Sequence, residues 1–103
     1  MKELNSTSFK EEINKDKVAI IDFWAAWCGP CKMMAPNFEE AEQELASDYN
    51  FYKCNVDENT DLAIEYNVYS IPTIVAFKNG KEIARNVGFL PSSELKNWIK
   101  TQK

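Results

Sequence analysis

A chain of 103 residues has room for one domain, and 45% hydrophobic with 27% charged residues is the makeup of a chain that buries a core and folds alone. A formal charge of -4, with the 12 Lys and Arg residues scattered along the chain, disfavours nucleic-acid binding. The longest nearly apolar run, Val18 to Cys31, holds Asp22 and Gly29-Pro30, so it falls short of the roughly 20 apolar residues of a membrane span. The segment Met1 to Ser6 lacks the apolar core of a signal peptide, so a cytoplasmic domain over residues 1–103 is expected.

In chain order, Leu4 is expected in a brief edge strand. Ser8-Phe9-Lys10-Glu11 then has capping-box spacing and opens a helix with Phe9 and Ile13 on its apolar face. Val18-Ala19-Ile20-Ile21-Asp22-Phe23-Trp24 is almost continuously apolar, β-branched or aromatic, the pattern of a central strand buried on both faces. After Cys31, residues Met34, Phe38, Ala41 and Leu45 recur at helical spacing, and Pro36 is expected to bend that helix. Phe51 to Val56 reads as a strand, and Leu62, Ala63 and Tyr66 as a short helix. Thr73 to Phe77 and Glu82 to Val87 flank Asn79-Gly80, a strong hairpin signal, so these strands are antiparallel. Pro91-Ser92 starts a last helix that buries Leu95, Trp98 and Ile99. The order βαβαβαββα predicts an α/β domain, its mixed sheet covered by helices on both faces and its crossovers right-handed.

Three cysteines and no histidine leave few routes to chemistry, since histidine is the commonest general base and metal ligand. Cys28 and Cys31 stand where the central strand gives way to a helix. The free amides and dipole of a helix N-terminus favour an anion there, which makes Cys28 the thiolate. An unperturbed thiol, with pKa about 8.5, is only about 3% ionised at pH 7, so lowering that pKa multiplies the attacking species. Cys31, one turn on and less exposed, then resolves the mixed disulfide left on Cys28. Two cysteines packed together by chance, or half of a zinc or iron-sulfur site shared between chains, are the alternatives.

Asp22 lies inside an apolar run, so burial should raise its pKa and suit it to accept a proton near neutral pH. A hydrogen-bonded Asp at a strand end is the bland alternative. Lys53 is a charge within a strand and either faces solvent or opposes that rise. Trp27 is expected to form an apolar collar for partners, and Trp24 to pack. Gly88 suits a close backbone approach. Cys54, on the same strand face as Tyr52 and Val56, reads as an inert buried thiol.

Taken together, Asp22-Phe23-Trp24-Ala25, Trp27-Cys28-Gly29-Pro30-Cys31-Lys32, Pro36, Ile71-Pro72-Thr73, Phe77-Lys78-Asn79-Gly80 and Val87-Gly88 resemble the thioredoxin family from near the first residue to the last. The resemblance implies a thioredoxin fold: a mixed four- to five-stranded sheet flanked by four helices. It implies a thiol-disulfide oxidoreductase, a monomer with no bound cofactor beyond a redox-active Cys28-Cys31 disulfide. Such a protein reduces disulfides in protein substrates and is recharged by a thioredoxin reductase.

By the same resemblance, Asp22 is the proton acceptor for Cys31 and Lys53 sits beside it. Ile71 and a cis Pro72 face the dithiol and, with Trp27 and Gly88, receive substrate. Gly29 and Pro30 are the dipeptide of the family's reductants, whereas its oxidases and isomerases usually carry histidine there. Phe89 is bulkier than the residue common after that glycine. A redox-independent binding module and a disulfide isomerase or oxidase of the same fold are the competing functions.

Overall fold

The computed structural model describes residues 1–103. Its elements run β1 (Lys2–Glu3), α1 (Phe9–Ile13), β2 (Ala19–Trp24), α2 (Gly29–Leu45), β3 (Asn50–Asn55), α3 (Thr60–Glu65), β4 (Thr73–Lys78), β5 (Lys81–Val87) and α4 (Ser92–Lys100). The strands form one five-stranded sheet in the order β1-β3-β2-β4-β5. β1 and β2 both run parallel to β3, β4 is antiparallel to β2, and β5 is antiparallel to β4. The run that reads as a central strand is central: Ala19 to Phe23 are all buried.

Strand alternation sorts the core into two layers. Ile20, Phe51, Ile74 and Ala76 pack on one face against Met34, Phe38, Ala41 and Leu45 of α2 and Leu95 and Ile99 of α4. Ile21, Phe23, Tyr52, Cys54, Val75 and Phe77 pack on the other against Phe9, Ile13 and Leu62. Phe9 meets Tyr66 at 4.7 Å, Phe77 at 5.7 Å and Phe23 at 6.0 Å between ring centroids, in the range where aromatic pairs attract.

Some local expectations are corrected. The capping box does not form: Ser8 precedes α1 but its side chain caps nothing in the helix. Asn5 takes over, its Oδ1 accepting the amides of Thr7 and Ser8 at 2.9 and 3.0 Å while its carbonyl accepts that of Phe9. An Asx turn thus satisfies the Ser8 N–H, one of the two donors that a capping box would have served. Leu4 follows β1 but its N–H donates to the Lys53 carbonyl at 2.7 Å, continuing the edge pairing. Trp98 is only half-buried at the edge of the core. Pro36 does lie within α2, as expected, on an exposed face of the helix. In the β4–β5 hairpin, Asn79 and Gly80 have φ of 51° and 82°, the left-handed pair that a two-residue turn of this hand requires.

Candidate active site

β2 ends at Trp24, and four residues later Cys28 is the N-cap of α2, with φ -85° and ψ 110°. Pro30 occupies the first turn, where its missing N–H removes no helical hydrogen bond. The Cys31 N–H donates to Cys28 Sγ at 3.2 Å. No acidic side chain sits in this first turn to oppose an anion. The two sulfurs are at disulfide-bonding distance, with Cα atoms 5.2 Å apart, so the structure represents the oxidised state.

A groove of about 660 Å³ opens beside the disulfide. One wall is Trp27 to Pro30; the other comes from α3 and the segment Val68 to Ile71, with Val56 and Asp57 between them. Cys28 lines this groove and Cys31 does not. The expected difference in exposure is nevertheless almost absent, since Cys28 and Cys31 are 4% and 3% exposed. What distinguishes them is that Cys28 alone faces the groove.

Trp27 is 69% exposed, and its indole N–H donates to Asp57 Oδ2 at 2.8 Å. The Ile71-Pro72 peptide is cis, and the Ile71 carbonyl oxygen lies 3.7 Å from Cys28 Sγ. Gly88, at φ 103°, donates its N–H to the Pro72 carbonyl at 2.8 Å. Pro72 and Gly88 therefore adjoin the site but lie outside the groove that Ile71 lines. A Cβ added at Gly29 would meet nothing within 4 Å, so this glycine keeps the lip of the groove bare and is not demanded by packing.

Asp22 is 1% exposed and its Oδ1 has no hydrogen-bond partner. Burial raises its pKa to about 7; Lys53 pulls against that shift and Glu3 reinforces it. Asp22 pairs with Lys53 in the β2–β3 register. Alternation puts Asp22 on the same sheet face as Ile20, the face that α2 covers, two residues closer to the end where α2 begins. The Lys53 ammonium sits 4.5 Å from the centre of the Trp24 ring, so it neither points freely into solvent nor forms an ion pair. Trp24 packs against the cysteine cluster with its indole N–H unpartnered.

Cys54 is fully buried on the opposite sheet face, and burial pushes its thiol up to about 12. Sequence reasoning missed Asp57, Ile64 and Tyr69. Ile64 and Tyr69 are 76% and 88% exposed while lining the groove. An available signal was that Ile64 falls off the stripe of Leu62, Ala63 and Tyr66, an apolar residue on the wrong face of its helix.

The sequence pattern of the thioredoxin family matches residues 1–101. The thioredoxin of Mycoplasma genitalium is 50% identical over 94 residues, covering 90% of this chain and 91% of its own. Among solved structures, the thioredoxin of Malassezia sympodialis superposes with a TM-score of 0.90 at 40% identity, covering 96% of this chain and 89% of that one. That of Plasmodium falciparum superposes with a TM-score of 0.92 at 33% identity, over 100% of both chains. With a bonded Cys-x-x-Cys pair at the N-terminus of α2, the chain belongs to the thioredoxin family and is a thiol-disulfide oxidoreductase.

Proposed function

We propose that the chain reduces disulfides in protein substrates in the cytoplasm, as a single-domain monomer, with Cys28 attacking, Cys31 resolving and Asp22 accepting the proton of Cys31. The observation that carries this reading is the asymmetry of the pair: Cys28 lines the groove at a helix N-terminus and Cys31 does not line it. Starting from the reduced dithiol, the Cys28 thiolate attacks one sulfur of the substrate disulfide and expels the other as a thiolate. Cys31 gives its proton to the Asp22 carboxylate, and its sulfur attacks Cys28 Sγ, expelling the second substrate thiolate. Two electrons have then passed to the substrate, leaving the Cys28-Cys31 disulfide seen here.

A carboxylate that holds its proton to about pH 7 can both take and return one at neutral pH, which supports Asp22 in that role. Lys53 limits how far the pKa rises. Gly29 and Pro30 leave the lip open without adding a cation that would stabilise the Cys28 thiolate and make the pair more oxidising. Trp27, Ile71, Pro72 and Gly88 receive the substrate segment, and a thioredoxin reductase returns two electrons, the proton held by Asp22 going back to Cys31. No cofactor is needed, because the disulfide is itself the redox group.

Insulin reduction, first with dithiothreitol and then with NADPH and a thioredoxin reductase, tests the reading. Cys28→Ser should abolish turnover. Turnover indifferent to that change would leave only a binding role, and an oxidising potential in a glutathione buffer would reassign the chain to disulfide formation or isomerisation.

A further inference from the structure

We propose that Arg85, held by Glu82, is a positioning residue that fastens the far wall of the substrate groove, and so governs how well protein disulfides are bound; this rests on the groove being the substrate site.

The wall needs fastening because of how α3 ends. Asn67, at φ 56°, terminates it in the left-handed conformation. The Val68 N–H donates back to the Ala63 carbonyl at 2.8 Å and that of Asn67 to Ile64 at 3.2 Å, the paired bonds of a Schellman ending. That ending leaves the carbonyls of Tyr66 and Asn67 without backbone donors.

Arg85 supplies them. Its register with Val75 puts it on the sheet face that carries α3, and its Nη2 and Nη1 donate to the Tyr66 and Asn67 carbonyls at 2.7 and 3.0 Å. Nε and Nη2 also donate to the two Glu82 oxygens at 2.6 and 2.7 Å, which fixes the plane of the guanidinium. The side chain is 26% exposed, so these charge-assisted bonds are partly shielded from water. A lysine could not replace this arrangement, having no planar fork to serve carboxylate and carbonyls at once.

From this anchor the groove wall is built outward. The Tyr69 hydroxyl donates to Asn67 Oδ1 at 3.0 Å, although the ring above it is almost wholly exposed. Thr73 Oγ1 donates to the Ser70 carbonyl at 2.6 Å and tethers the segment's other end. Tyr69, Ser70 and Ile71 line the groove, and the Ile71 carbonyl faces Cys28 Sγ. Releasing Arg85 frees one end of this wall and leaves both cysteines untouched.

The test compares wild type, Arg85→Ala and Arg85→Lys, using insulin as protein substrate with dithiothreitol as electron source. Equilibration of the Cys28-Cys31 pair against a glutathione buffer supplies the second readout. Both variants should raise KM for insulin about fivefold to tenfold, the scale of one net hydrogen bond's worth of lost positioning, with kcat within about twofold and the potential unchanged. Arg85→Lys carries the test alone if Arg85→Ala fails to fold. An unchanged KM, or a kcat and potential that shift together with it, overturns the proposal. In a further cycle, Tyr69→Ala should add little to Arg85→Ala, and full additivity also overturns it. Wild type failing to reduce insulin would instead strike the groove's assignment as the substrate site.

Discussion

Replacing Asp22 with Asn should abolish a specific pH dependence of stability. The native carboxyl titrates at about 7 against an ordinary value of 3.8. Over the interval between these values the folded chain holds a proton that the unfolded chain has released. Stability is therefore full below about pH 4, and it falls by about 1.4 kcal/mol for each pH unit until the native group has also ionised. The total loss is about 4 kcal/mol, a large part of the 5–15 kcal/mol that a domain has. The substituted asparagine cannot ionise, but its amide enters a site where Oδ1 has no partner, at a cost of about 1–3 kcal/mol that does not depend on pH. The informative quantity is thus the difference between the two proteins as pH changes. Urea denaturation at intervals from pH 4.5 to 8.5 should show Asp22→Asn gaining on wild type by about 3 kcal/mol across the series. Curves that stay parallel across that range would refute the buried, unpaired carboxylate, whatever the absolute stabilities.

Lys53→Met removes the cation that draws the Asp22 pKa down, so the pH at which this stability loss levels off should rise by up to about 1 unit; an unmoved upper limit would mean that Lys53 is screened from Asp22. Cys54 offers a third test. With its thiol pushed to about 12 it is thiolate in only about 1 molecule in 10,000 at pH 8, so iodoacetamide should alkylate native reduced protein at Cys28 and reach Cys54 only after denaturation. Mass spectrometry showing native labelling of Cys54 would contradict its placement in the core.

The sequence made the two-layer architecture readable because its periods are clean. The stripe of Met34, Phe38, Ala41 and Leu45 and the unbroken run through β2 each permit one packing, and all of those residues but the half-buried Trp24 are buried. Asn79-Gly80 was equally legible, since few dipeptides accept two left-handed residues. The capping box was not, because the Ser8 hydroxyl turns back to accept the Asn5 N–H while Asn5 Oδ1 accepts the Ser8 N–H, a reciprocal pairing that forms before the helix begins. The near-equal burial of Cys28 and Cys31 was hidden for a related reason, as the segments covering them come from elsewhere in the chain. Asp57, Ile64 and Tyr69 carry no motif and gain meaning only when α3 is set opposite Trp27.

That juxtaposition follows from the direction of the strands. β2 and β3 are parallel, so the Cys28 loop after one and the Asp57 turn after the other leave the sheet at the same end, where crevices form in sheets of this kind. β4 runs the opposite way, so its lead-in, Ile71-Pro72, arrives at that end, and the close of β5 brings Gly88 to the Pro72 carbonyl. Segments far apart in the chain thus converge on one sulfur. The central strand that organises them also carries Asp22 beneath the start of α2, and a carboxylate there costs several kcal/mol once ionised. A core filled on both faces of that strand offsets the cost, which is how 103 residues can hold an unpaired carboxylate within it.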